Sequence, residues 1–164
     1  MASDLQTSFY FKVAVSGDSS KTDAAFQEVS GLSKELGVED VVCGGENRFK
    51  YRLPTITTYP NLVLKRGIVI ADSPLVEWVQ LTLDSGMSKP IKTKNINVIL
   101  MDEESQPSMQ WNFYKAYPVK WAATDLKSQD NTLLIETIEL AYQYYELEDS
   151  RDNQYAGVAD LFGD

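Results

Sequence analysis

"KTKNINVILMDEESQPSMQWNFYKAYPVKW", residues 92–121, decides the fold class. Ile96, Val98 and Leu100 alternate with Asn95, Asn97 and Ile99. A polar loop, Asp102–Ser108, follows. Beyond it Met109, Trp111, Phe113, Tyr117, Val119 and Trp121 alternate with Gln110, Asn112, Tyr114, Ala116 and Lys120. Successive side chains of a strand point to opposite faces, so the pattern predicts two antiparallel strands, each with one face in a core.

The same period runs outward in both directions. In "FYFKVAVS" (9–16), Phe9, Phe11, Val13 and Val15 fall on one face. In "TLLIETIELAYQYYELE" (132–148), Ile138, Leu140, Tyr142 and Tyr144 alternate with Thr137, Glu139, Ala141 and Gln143. One segment breaks the period. "DSPLVEWVQLTLDSG" offers Ser73 as N-cap, Pro74 at the first helical position and Glu77 near the positive end. A stripe of Leu75, Trp78, Val79 and Thr82 follows, and Gly86 can close the helix. The expectation is a mainly β protein: a two-sheet barrel or sandwich of antiparallel strands with one flanking helix at about 73–85.

Composition narrows what such a fold can do. A chain of 164 residues with 43% hydrophobic residues has the size of one domain and enough apolar surface for a core. Neither a signal peptide nor an apolar run of membrane-spanning length is present, so folding in the cytosol, without membrane insertion, is expected. The net charge of −9 argues against specific nucleic-acid binding. With no histidine and a single cysteine, Cys43, no Ser–His–Asp or Cys–His site and no zinc cluster can be assembled. "SGDSSKT" (16–22) lacks the glycine before Lys21 that a phosphate loop needs, and it reads as a hairpin turn. Asp102, Glu103 and Glu104 read as a solvated loop, and Glu146 with Glu148 as surface. Neither an enzyme nor a cofactor is expected.

The polar strand faces are unusually neutral: Asn95, Asn97, Gln110, Asn112, Thr137, Ala141 and Gln143. Apart from Pro118, the long strands carry little of the charge or proline that normally blocks an edge. Either the edges pair with other copies or the barrel closes on itself. A further clue lies in Gly44–Gly67, "GGENRFKYRLPTITTYPNLVLKRG". It holds five basic residues (Arg48, Lys50, Arg52, Lys65, Arg66) and only Glu46 as acid, leaving ten basic and twenty-three acidic residues elsewhere. Residues 37–60 show no core periodicity and read as a long excursion. "RFKYRL" sets Arg48, Lys50 and Arg52 on one side of an extended arm, with Phe49, Tyr51 and Leu53 on the other. A positive, half-apolar arm on a negative body suits head-to-tail association; a solvated basic loop is the alternative.

"FYFKVAVSG", "AAFQEVSGLSKE", "GGENRFKYRLPTITTYPNLVLKRGIV" and the helix around "SPLVEWV", in that order, resemble the T4-like phage tail tube protein family. Inner tube proteins of contractile injection systems, such as R-type pyocins and antifeeding particles, belong to it. The resemblance spans roughly Phe9 to Glu148. It implies a structural subunit, six to a ring, with rings stacked into a hollow tube that conducts cargo or DNA and is driven through an envelope when a sheath contracts. The implied partners are further copies of the chain, the sheath, baseplate and spike proteins and a tube terminator. The particle would be assembled in the cytoplasm and found as a phage tail or an injection device.

Carried over by position, Gly44, Gly45, Glu46, Asn47, Arg48, Lys50, Arg52 and Pro54 would form the inter-ring contact. Lys65 and Arg66 would lie at a subunit boundary, and Thr137, Glu139, Ala141 and Gln143 would be candidates for the lumen face. Residues 1–148 would form the tube domain. The family generally ends near the last strand, so 149–164 reads as an extension, flexible or docked on a neighbour through Leu161 and Phe162. A type VI secretion ring protein of the same fold and a monomeric ligand-binding barrel are the other readings.

Overall fold

The computed structural model describes residues 10–16, 22–45, 47–68, 73–124 and 134–149. Ten strands and one helix follow in the order β1 (Tyr10–Val15), β2 (Thr22–Phe26), β3 (Glu28–Ser30), β4 (Glu35–Val41), β5 (Tyr51–Thr58), β6 (Leu62–Gly67), α1 (Pro74–Ser85), β7 (Lys94–Met101), β8 (Pro107–Ala123), β9 (Ile135–Ala141) and β10 (Tyr144–Asp149). Eight of them form one antiparallel sheet in the order β2-β1-β7-β8-β9-β6-β3, with β10 also pairing β8.

The 17-residue strand β8 organises this sheet. Its first half pairs with β7 on one edge and β10 on the other, and its second half pairs with β9. Lys115 sits between the halves at φ 55, a left-handed conformation that bends a strand and shifts its register. The kink accounts for a departure from simple alternation. Phe113 is buried, but beyond it Ala116 and Pro118 turn inward while Tyr117 and Val119 are exposed, the reverse of the sequence expectation. A similar switch divides the last predicted strand in two. Ile138 and Leu140 are buried in β9 as expected. After the break at Tyr142–Gln143 it is Tyr145 that enters the core, and Tyr144 faces out.

A second crossing strand curls the sheet further. β2 pairs with β1 and β3 with β6; between them the Gln27 N–H donates to the Lys65 carbonyl at 2.9 Å. Among the described residues no ladder joins β2 to β6, so the sheet is strongly curled but open. The interior is filled by Phe26, Leu62, Leu64, Ile96, Val98, Phe113, Ile138 and Leu140.

The helix covers one opening of this interior, inserting Leu75, Trp78 and Val79. Its start is the predicted one: the Ser73 hydroxyl accepts from the Val76 N–H at 3.3 Å, and Pro74 follows. Gly86 at φ 51 ends it, and a 3-10 turn, Gly86–Ser88, follows. The Trp78 indole N–H donates to the Lys92 carbonyl at 3.0 Å, tying α1 to the segment leading into β7. No helix among the described residues is long and apolar enough to cross a membrane.

Residues 37–60 lie apart from the main sheet, but they are not a plain loop. β4 and β5 form their own two-stranded antiparallel sheet, a projecting hairpin. Its sequence hides this because both faces are partly apolar, so no clean period of two appears.

Candidate assembly surface

The hairpin hangs from the body by two short segments, 31–34 and 59–61. Gly31 adopts φ 86, and a Cβ there would lie 2.0 Å from the Asn61 carbonyl oxygen, so only glycine allows the two segments this approach. Tyr59 anchors the return. Its ring meets Tyr142 and Tyr145 edge-on at 5.9 and 5.7 Å, within a cluster that includes Phe113. Burial, then the neighbouring Tyr145 and Tyr59, pushes the Tyr142 phenol up to about 12. Burial followed by Tyr59 raises Tyr145 as well.

Beyond that root the hairpin touches little of its own chain. Leu36, Val38, Val42, Phe49, Tyr51, Leu53 and Ile56 are all exposed, Ile56 at 83% and Val42 at 70%. Register places Tyr51 opposite Val41 and Leu53 opposite Glu39, and Arg52 opposite Asp40 and Pro54 opposite Val38. The Phe49 and Tyr51 rings meet edge-on, 5.3 Å apart. Arg48, Lys50 and Arg52 are exposed. The Arg52 Nε lies 3.5 Å from the Asp40 carboxylate, an ion pair screened by water on both sides. Gly44 and Gly45, the latter at φ 100, stand at the tip in open space, with Asn47 and the Cys43 thiol exposed beside them. Glu46 lies outside the described residues.

The structure thus brings together the expected contact residues and adds apolar ones that sequence reasoning missed. The signal for Val38, Val42 and Ile56 was present as β-branched residues within the excursion; Leu36, just before it, carried none. An isolated two-stranded hairpin is marginal in water, and one exposing this much apolar surface is expected to have a partner.

Lys65 and Arg66 separate. Both lie on β6, where neighbours point opposite ways. Lys65 faces outward and approaches Glu28 of β3 at 3.5 Å. Arg66, expected at a subunit boundary, is instead 2% exposed. Its Nε donates to Glu136 at 2.5 Å, its Nη2 donates to the Ser73 hydroxyl at 2.9 Å, and its guanidinium lies over the Phe26 ring. The Trp121 indole donates to the other Glu136 oxygen at 3.1 Å. The alternation that exposes Lys65 is what turns Arg66 into the interior.

Thr137, Glu139 and Ala141 share the outward face of β9, across from Lys65, Val63 and Lys120. The Glu139 carboxylate accepts from Asn61 at 2.9 Å. Gln143 sits at the break beyond, its N–H donating to the Tyr114 carbonyl. The outward face around the first half of β8 sets two carboxylates, Glu146 and Glu148, among neutral side chains and is better knitted. Gln110 donates to Asn112 at 2.6 Å and Asn112 to Glu148 at 3.3 Å. Tyr114 stacks on Tyr144 and donates to Glu146 at 3.0 Å, a bond that raises the Tyr114 pKa together with desolvation and the carboxylate's charge. At the margins, β2 and β3 end the ladder.

Comparison with solved structures gives the same fold in multi-subunit particles. The chain is similar to a component of the anti-feeding prophage baseplate: 28% identity, TM-score 0.75, over 91% of this chain and 98% of that one. It has the fold of a component of the PVC sheath–tube complex of an extracellular contractile injection system: 19% identity, TM-score 0.73, over 90% and 94%. Hcp1 from Flavobacterium johnsoniae shares the fold more distantly: 19% identity, TM-score 0.53, over 87% and 97%. No curated protein matches the chain at a significant level. A profile of the T4-like virus tail tube protein gp19 matches residues 7–146, which is most of the chain. The curled open sheet, its projecting hairpin and this match together show that the chain belongs to the T4-like tail tube protein family, whose members are structural tube components of injection systems rather than enzymes.

Proposed function

We propose that the chain is the inner tube subunit of a contractile, phage-tail-like particle, and that six copies close a ring whose stacking makes a hollow conduit. The observation that carries this reading is the β4–β5 hairpin. It is a basic tip with apolar residues on both faces, projecting from a body that carries the chain's acidic excess. Covering it in the next ring would remove each large apolar side chain from water, a gain of about 1.5–3 kcal/mol per fully buried residue. Charge complementarity between tip and body would set the direction of stacking more than its strength.

In this reading Gly44, Gly45, Asn47, Arg48, Lys50, Arg52 and Pro54 form the inter-ring contact, and Lys65 stands at a boundary within the ring. Thr137, Glu139, Ala141 and Gln143 face the lumen, with Lys65 and Lys120 paired across from them, so the lining would mix neutral side chains with charges of both signs. Sheath, baseplate, spike and terminator proteins would be the partners, and the particle would act by mechanical penetration without chemistry.

The test is charge reversal at Arg48 and Lys50. Arg52 is left in place because a carboxylate there would repel Asp40 within the hairpin. The double variant Arg48→Glu/Lys50→Glu should keep the native circular dichroism spectrum and lose tubes in electron micrographs. Tubes of wild-type length and number would refute the assignment. The shared fold of a type six secretion system protein favours a second reading, a component of a secretion machine. Rings exported without a sheathed particle would mark that case.

A further inference from the structure

Outside the hairpin, large apolar side chains stand exposed at three places among the described residues: Leu81, Met87 and Ile91 at the end of α1, Tyr117 and Val119 in the second half of β8, and Tyr144 and Leu147 in β10. Their surroundings differ in charge. Around the first, Glu77 and Asp84 of the helix are mixed with Lys89 and Lys92. Lys115 and Lys120 bracket the second, with Glu139 across from Lys120. In β10 the charged side chains described, Glu146 and Glu148, are both exposed acids, and their register partners on β8, Asn112 and Gln110, are neutral. Each carboxylate takes one bond from β8, Glu146 from Tyr114 and Glu148 from Asn112, which holds it on the outward face with acceptor capacity left for a cation. Lys34 approaches the strand over the Tyr145 ring at 4.8 Å, and alternation points Tyr145 away from the two carboxylates.

β10 is also an edge. It pairs with the first half of β8 on one side, and among the described residues no strand pairs with its other side. It carries neither the proline nor the lysine that commonly blunts an edge, and its two carboxylates would repel an acidic strand and admit a basic one. The hairpin supplies such a strand. "RFKYR", Arg48–Arg52, leads into β5, which among the described residues pairs with β4 alone, and alternation in an extended chain separates its three cations from Phe49 and Tyr51. Laid antiparallel on "YYELE", Tyr144–Glu148, with Lys50 opposite Glu146, it sets Arg48 opposite Glu148. Arg52, already beside Asp40, then meets the Tyr144 ring instead of a carboxylate. On the other face Phe49 falls opposite Leu147 and Tyr51 opposite Tyr145. Phe49 is 52% exposed and Leu147 51%, so the two segments do not cover one another within a single chain.

We propose that residues 48–52 of one copy add as a strand to the open edge of β10 in a neighbouring copy, in this antiparallel register, so that the surface receiving the hairpin is Tyr144–Glu148. This rests on the hairpin being the contact between copies and names the surface that contact meets. Backbone bonds hold the added strand, and the pairs Arg48–Glu148 and Lys50–Glu146 select partner and register.

Charge exchange in the full chain separates this surface from the hairpin reading. Glu146→Lys/Glu148→Lys should lose tubes as Arg48→Glu/Lys50→Glu does, and the chain carrying all four changes should recover them. Tubes that survive Glu146→Lys/Glu148→Lys, or that the fourfold change fails to restore, would overturn β10 as the receiving surface and leave the hairpin contact standing. Tubes that survive Arg48→Glu/Lys50→Glu would remove the hairpin contact itself. Thiols read the register independently, in a Cys43→Ser background. Chains with Phe49→Cys, mixed with size-tagged chains carrying Leu147→Cys and mildly oxidised, should give a mixed dimer on a non-reducing gel. It should form several-fold faster than in a mixture where Met87→Cys, at the end of α1, takes the place of Leu147→Cys, since a disulfide needs the two Cβ atoms in contact. Equal rates, or a faster reaction at Met87, would overturn the proposal.

Discussion

Arg66 and Glu136 form the one buried ion pair among the described residues, and their setting explains how a charged pair survives in the core. Each ion has lost its water, a cost of several kcal/mol, and is compensated by a direct bond and by further donors and acceptors from Ser73 and Trp121. Removing Arg66 leaves the buried Glu136 carboxylate without its counter-charge, held by the Trp121 indole but uncompensated. Arg66→Met should therefore lower the unfolding free energy by about 3–5 kcal/mol, whereas Arg66→Met combined with Glu136→Leu should recover most of that loss. Urea titrations of the two variants check this; equal destabilisation in both would show that packing, not charge, is at stake. The tyrosine cluster makes a second prediction at this scale. Because burial holds the Tyr142 phenol neutral, the folded chain keeps a proton that the unfolded chain releases near pH 10. The stability of the wild type should fall between pH 10 and about 12, and more steeply than that of Tyr142→Phe. Parallel pH dependences of the urea midpoint for the two proteins would contradict it.

At the scale of elements, the hairpin and its root are the part under most constraint. β4 and β5 pair only with each other, so their orientation is set where Gly31 meets Asn61 and where Tyr59 enters the aromatic cluster. Gly31→Ala would force a Cβ against a backbone oxygen and an L-residue into a left-handed conformation, the latter alone costing about 1–3 kcal/mol. The expected outcome is a lower urea midpoint together with faster proteolysis within residues 35–58. A midpoint unchanged from wild type would mean that the root relaxes without strain. The helix is the contrasting case: Ser73, Pro74 and Gly86 specify its limits locally, and the sequence located it to within a residue.

For the whole molecule, an open sheet with an uncovered apolar hairpin predicts that stability depends on company. Association that involves the folded chain alone stabilises it by mass action. The melting temperature should rise with protein concentration, and the rise should vanish in Arg48→Glu/Lys50→Glu. Differential scanning calorimetry over a hundredfold range of concentration reads this, and a melting temperature independent of concentration would argue for a self-sufficient monomer.

Local chemistry was enough for much of this protein. Alternation fixed β1, β7, the first half of β8 and β9 with the residues they bury, since the period of two is a property of the strand itself. Capping residues fixed α1. The charge contrast singled out Arg48, Lys50 and Arg52 before any geometry was known. Tertiary structure alone decided the rest. Tyr117, Val119 and Tyr144 face outward because bends at Lys115 and at Tyr142–Gln143 reset the phase, and alternation carries no mark of where a strand passes from one layer to the next. β2 and β3 are held by long-range ladders to β1 and β6. Arg66 is buried because Glu136, seventy residues away, offers it a partner inside the core. Side-chain type records how a residue treats water and its near neighbours; the distant partner that makes a buried charge tolerable exists only once the chain has folded.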